Sequence, residues 1–261
     1  MTMRFHADCA FHIGAQHLRT GLPCQDYAVA NALGDRAWAV VSDGCSTGGR
    51  TDVGARLTGL AAARALRVGY SLRPMDYMFH ASEFDLVESD FFATCLTAAV
   101  SSDKADLCIK GDGVMAVQTD EGLYITRIDW AQNMPCYPSY VVDGYKTFTA
   151  AQGGPNALAC HVYEMRPNVS SLEHIPVSDA VDGYSLSWRR PFKAVAVFSD
   201  GVTQVDGVPW KQVVRDLMSF KSIEGDFVKR RLNRFLRDAE KVGRGPIDDI
   251  AMAAIVVENE P

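Results

Sequence analysis

The chain has 261 residues, 48% of them hydrophobic and 22% charged, with 26 Lys and Arg against 32 Asp and Glu for a formal net charge of −6. Such a balance describes a soluble globular protein; disorder needs fewer core formers and less balanced charge, and 21 Gly with 11 Pro are too few for a fibrous or low-complexity chain. The longest apolar runs, such as 250–257 (IAMAAIVV), fall far short of the ~18 residues that cross a bilayer, which argues against a membrane partner.

Near the N-terminus Arg4, His6, Asp8 and His12 break up any apolar stretch, so the layout of a secretion signal is missing and a cytoplasmic location is expected. The 7 Cys are scattered and form no CxxC pair, and they read as reduced packing residues. The mild acidity argues against a nucleic-acid partner, which calls for clustered Lys and Arg; the basic residues of 229–244 read as one solvated helix face.

In chain order, 37–42 (AWAVVS) is a short apolar run that stops at Asp43 and Gly44, the pattern of a buried strand ending in a turn. Over 52–68, Leu57, Ala61, Ala65 and Val68 recur at helical spacing and predict the buried face, with Arg56, Arg64 and Arg67 toward solvent. Two apolar stretches within 94–117 flank the polar cluster 101–104 and predict an antiparallel hairpin, with Asp112 interrupting its second strand between Gly111 and Gly113.

Residues 130–190 are rich in aromatics and turn formers, and Tyr137 and Tyr140 there read first as packing residues and second as substrate contacts. The run 193–199 (KAVAVFS) repeats the strand-then-turn design before Asp200 and Gly201. Helices are predicted over 210–220 and 227–242, the latter with Val228, Leu232, Phe235, Ala239 and Val242 as its apolar stripe and Gly243 as its stop. The closing run 250–257 reads as a buried strand. With no repeat or linker, the expectation is one α+β domain over 1–261 with mostly antiparallel sheets.

Three carboxylates stand at strand ends, namely Asp43, Asp200 and Asp248, while Asp26 and Asp112 sit in apolar contexts. Burying an unpaired carboxylate costs several kcal/mol, so such a set calls for hydrogen bonds, basic partners or cations. Oxygen-only ligands select hard ions of the Mg²⁺ or Mn²⁺ type, whereas Zn²⁺ usually recruits His or Cys. Taken singly, Asp followed by Gly is a common turn; the joint pattern is what points to chemistry.

The order of these motifs resembles the metal-dependent protein phosphatases of the 2C type. The residues that carry the resemblance are Cys24, Gln25 and Asp26; then Ser42, Asp43 and Gly44; Gly111 and Asp112; Ser199, Asp200 and Gly201; and finally Asp248 and Asp249 before the last strand. The resemblance spans Gly14 to Val257. It implies two packed antiparallel sheets flanked by helices and a binuclear Mg²⁺ or Mn²⁺ centre at one edge.

By the same resemblance Asp43 would bridge both metals with help from the Gly44 carbonyl, Asp200 and Asp248 would complete one shell, and Asp26 would hold the attacking water. Asp112 would serve a third ion. The implied activity is hydrolysis of phosphoserine and phosphothreonine in proteins, with a phosphorylated protein as substrate and a Ser/Thr kinase as its opponent in a signalling pathway. Two metals and a water need no covalent intermediate, so Cys24 and Cys45 are not assigned as nucleophiles.

The sequence departs from the family pattern in three places. Gly21 stands where many members carry a phosphate-binding Arg, which leaves His17 or Arg19 to bind phosphate; Gln25 stands where an acid is common; and Cys45, Ser46 and Thr47 replace a familiar His-Gly-Gly. These changes suggest a divergent bacterial-type branch. They also keep open a second reading, a catalytically silent binding or regulatory module; a metal-dependent nuclease is a third, opposed by the missing basic groove.

Overall fold

The computed structural model describes residues 3–69, 78 and 81–259. Two antiparallel sheets face each other. The larger runs in the order β1 (Met3–His12), β12 (Ile250–Asn259), β11 (Ala194–Phe198), β6 (Gly113–Gln118), β7 (Leu123–Trp130), β8 (Cys160–Arg166) and β9 (Val169–Ile175). The smaller runs β10 (Tyr184–Arg189), β5 (Lys104–Lys110), β4 (Cys95–Val100), β3 (Arg36–Asp43) and β2 (Asp26–Leu33).

Val41, Leu96 and Leu107 of the smaller sheet meet Met115, Val195 and Ile255 of the larger in the buried interlayer. The opposite face of the larger sheet, with Val114, Phe198 and Met252, is covered by Leu217 of α5 (Trp210–Leu217) and Leu232 of α6 (Phe227–Glu240). Strands β11 and β12 are therefore buried on both faces, which is why their sequences read as unbroken apolar runs rather than alternating ones. This is the α+β sandwich that the motif order implied.

The outer face of the smaller sheet carries the helix α2 (Thr51–Val68), and here the expected buried stripe is wrong. The residues that pack are Thr51, Gly54, Ala55, Thr58, Gly59, Ala62 and Ala63, whereas Leu57, Ala61 and Ala65 are half-buried and Val68 is exposed. Close approach decides the face: a Cβ at Gly59 would lie 2.8 Å from Tyr27 Cδ1, and one at Gly54 would lie 1.8 Å from the Asp90 carbonyl. Hydrophobic periodicity favours large residues and overlooks a face chosen for its smallness. On α6 the stripe Val228, Leu232, Phe235 and Ala239 is buried, but Val242 lies past the helix end and is exposed.

The expected hairpin over 94–117 also resolves differently. Strands β4 and β5 pair as a hairpin, but the second apolar stretch then leaves the smaller sheet, and β6 joins the larger one. Asp112 thus lies at the crossover between the sheets instead of inside a hairpin strand. Gly111 at φ +100° and Gly113 at φ +132° make the change of direction, a left-handed region in which other residues are strained.

Further α-helices among the described residues are α1 (Ala15–Thr20), α3 (Lys146–Ala151) and α4 (Val177–Ala180). Among the described residues no helix is long and apolar enough to cross a membrane.

Candidate metal centre

Asp26 opens β2 and Asp43 closes β3, and the strand register pairs the two directly. Two side-chain hydroxyls fix this corner. Ser199 Oγ donates to Asp26 Oδ2 at 2.6 Å while accepting from the Ala251 N–H at 2.9 Å, so it ties β2 to the ends of β11 and β12. Thr94 Oγ1 accepts from the Asp43 N–H at 3.0 Å, and the Asp43 carbonyl accepts from the Thr94 N–H at 2.8 Å.

Asp43, Gly44, Asp112, Asp200 and Asp248 line one cavity of about 140 Å³, together with Thr47, Thr94 and Tyr137. Asp26 lies behind them, 1% exposed, and its carboxyl and that of Asp200 both come within hydrogen-bond reach of Asp43. Among the described residues no Lys, Arg or His lines it.

The electrostatics follow from that crowding. Burial raises the carboxyls of Asp26, Asp43 and Asp112 well above the usual range, and burial likewise raises Asp200. Neighbouring carboxylates push in the same direction: Asp26, Asp200 and Asp112 on Asp43, and Asp200 and Asp129 on Asp112. The Ser199 hydroxyl partly offsets the effect on Asp26. Arg127 does a little of the same for Asp112, but its guanidinium is already held by Asp129 at 2.6 Å.

The donor set fits a hard divalent cation. It consists of oxygens, its members repel one another in a buried place, and Asp26 Oδ1 is buried with no hydrogen-bond partner. Asp43, Gly44, Asp112, Asp200 and Asp248 all line this one cavity.

The structure does not bring His17 or Arg19 to this cavity. Arg19 is exposed on the last turn of α1, and His17 is 2% exposed with Nδ1 paired to Asp249 Oδ2 at 2.8 Å. Neither is among the lining residues, although His17 Nε2 lies 3.8 Å from Asp248 Oδ1. His17, Asp248 and Asp249 do approach within 4.8 Å of one another. Asp249, however, already accepts from the Gly14 N–H at 2.7 Å and the Gln25 N–H at 2.6 Å, so this group is a hydrogen-bonded brace that holds the segment before β12 against α1.

Of the residues that shape the site, Gln204 escaped the sequence reading. Gln204 Nε2 donates to Asp200 Oδ2 at 2.9 Å and to Asp248 Oδ2 at 3.3 Å, clasping two carboxylates together. Its only signal was a position four residues after Asp200. Gln25 turns away from the cavity, and its Nε2 donates to Thr51 Oγ1 at 2.6 Å, which in turn donates to the Cys45 carbonyl at 3.0 Å. The turn after Gly44 is thereby anchored to α2. Tyr137 is both buried packing and cavity wall, stacked on Phe92 with ring centroids 5.8 Å apart; Tyr140 packs on Phe92, Tyr137 and Phe148 and is not among the lining residues. Cys24 is pushed up strongly, chiefly by burial, which opposes a thiolate there.

The profile of the protein phosphatase 2C family matches residues 13–237. The chain belongs to the protein phosphatase 2C family. Its fold is that of bacterial phosphatases of this type: a bacterial serine phosphatase superposes with a TM-score of 0.58 at 15% identity, over 99% of this chain and 100% of that one. The serine/threonine phosphatase Stp1 from Staphylococcus aureus gives 0.56 at 15% identity, over 98% and 96% of the two chains. The catalytic domain of the serine threonine protein phosphatase PstP, in complex with 2 manganese ions, gives 0.53 at 13% identity, over 99% and 100%. No curated protein matches the sequence. Within this 2C-type fold the carboxylate cavity lies at the edge where the two sheets meet, the position the family resemblance implied for its metals.

Proposed function

We propose that the chain hydrolyses phosphoserine and phosphothreonine in proteins, using Mg²⁺ or Mn²⁺ held by Asp43, the Gly44 carbonyl, Asp200 and Asp248, with Asp112 serving a third ion. The observation that carries this reading is the approach of the Asp26 and Asp200 carboxyls to Asp43 beside a cavity that, among the described residues, no basic side chain lines. Two divalent ions in such a cage would lower the pKa of a bound water and neutralise phosphoryl oxygens during in-line attack.

The chain's own residues do the rest. Asp26 Oδ1, buried and without a hydrogen-bond partner, is the acceptor that would orient the attacking water, while Ser199 fixes the carboxyl through Oδ2. Gln204 bridges Asp200 and Asp248, the two carboxylates that would share one ion. Thr47 and Tyr137 form the rim against which a phosphorylated side chain would rest. The reading takes 1–261 as one domain acting in the cytoplasm, opposed by a Ser/Thr kinase.

Hydrolysis of a phosphothreonine peptide and of a small aryl phosphate, with and without Mn²⁺, tests it. Metal-dependent turnover should fall on the order of a thousandfold in Asp43→Asn or Asp200→Asn, as expected when a ligand of the reaction centre is lost. Full activity in both variants would sink the assignment. Metal binding without turnover would favour the silent regulatory module, for which the turned-away Gln25 is the supporting feature.

A further inference from the structure

Arg230, Arg234 and Arg237 of α6, part of the expected solvated helix face, are exposed and line a groove of about 880 Å³. Arg230, Arg234 and Arg237 recur at spacings of four and three, so they stand in a row on the exposed side of α6, and Lys221, Arg231 and Arg244 add to them. Glu240 is the one carboxylate in the lining. Among the described residues Arg230, Arg237, Arg244 and Lys221 have no carboxylate within ion-pair distance; Arg230 and Arg237 donate only to the carbonyls of Glu224 and Asn233. Arg234 shares Asp238 at a loose 3.7 Å.

The chain as a whole is acidic at −6, so this concentration of unpaired cations is local. Apolar side chains stand between the cations, with Ile13, Leu18, Phe220 and Leu236 on the same lining. The groove also adjoins the carboxylate cavity. Gly245 and Pro246 line the groove while Asp248 lines the cavity, and two residues of chain span at most about 7 Å.

We propose that this groove docks an acidic segment of the phosphorylated protein substrate, one that mixes Asp or Glu with apolar residues and lies close in sequence to the phosphorylated side chain. Charge complementarity supplies the attraction and the apolar side chains supply the contact that a peptide, unlike a phosphate backbone, can use. Nucleic acid fits less well. A long polyanion would run past the groove onto an acidic surface, whereas a short acidic segment is attracted by the groove alone at a Debye length of about 8 Å. The substrate assignment rests on the phosphatase reading above; the binding of an acidic segment does not.

The test uses a fluorescein-labelled peptide rich in Glu, Asp and Phe and carrying no phosphate, titrated with full-length protein and followed by anisotropy. The wild type should bind it in a salt-sensitive manner, and the combined variant Arg230→Gln, Arg234→Gln and Arg237→Gln should bind at least about tenfold more weakly, as charge pairs at an interface do when truncated. Lys at the same three positions should restore binding, and unchanged thermal unfolding would show that the Gln variant is folded. With a phosphothreonine peptide bearing an acidic flank, the Gln variant should raise KM, leaving kcat and aryl phosphate hydrolysis unchanged. Equal binding by wild type and Gln variant would overturn the proposal, as would tighter binding of a single-stranded oligonucleotide of the same charge. If the wild type binds the peptide but hydrolyses no aryl phosphate, the phosphatase reading fails and the groove stands.

Discussion

Two neighbouring regions of this molecule carry uncompensated charge of opposite sign, and they manage it in opposite ways. In the cavity, carboxyls are buried against one another and stay above their usual range because water cannot screen them. In the groove, guanidinium groups remain exposed on α6, where solvent and salt screen them and each contributes little alone. Burial, more than the count of charges, therefore separates the two proposals: a cation would be held tightly in the cavity, and an anion would meet weak, additive contacts in the groove.

The sharpest way to break this contrast is to change the charge of the cavity without touching its shape. A buried carboxyl whose pKa is raised in the folded state favours folding while it is protonated. That contribution is fully present below the unfolded value near pH 4 and is lost as pH rises through the raised folded values. The metal-free protein is expected to unfold at a lower temperature at about pH 8 than at about pH 5.5, and Mn²⁺ should raise the unfolding temperature most at the higher pH. Scanning calorimetry at the two pH values checks this; equal Mn²⁺ shifts at both would contradict it.

Next in size is the clasp on the two ligands. Gln204→Leu leaves the carboxylates in place but removes both hydrogen bonds, and about a tenfold loss of kcat/KM is expected, with partial recovery at high Mn²⁺ concentration. The smallest effect is expected at Asp112, which lines the same cavity. Asp112→Asn should leave tight metal binding unchanged and alter only the response at high Mn²⁺; unchanged kinetics across the whole titration would remove its role for a third ion.

The strands and their terminal acids were legible in the sequence because β3, β11 and β12 are short apolar runs that stop abruptly at Asp43, begin before Asp200 or follow Asp248. A strand end leaves a side chain few choices of direction, so motif order along the chain became proximity in space. What escaped had a different physical basis. The face of α2 is selected by glycines that let Tyr27 and the Asp90 carbonyl approach, a constraint set by the partner's shape. Ser199, Asp249 and Gln204 owe their roles to hydrogen bonds with residues far along the chain, and no local pattern announces a partner as distant as Asp26 is from Ser199. His17 was singled out for its imidazole, but its neighbours on the folded chain turned it inward.

The central claim is that the cavity around Asp43 holds divalent cations, and Mn²⁺ binding by isothermal titration calorimetry on metal-free protein tests it most directly. The account predicts saturable binding with proton release, because the raised carboxyls must ionise to bind, and loss of that signal in Asp43→Asn with the fold retained. Absence of binding in the wild type, or equal heats from wild type and Asp43→Asn, would contradict it.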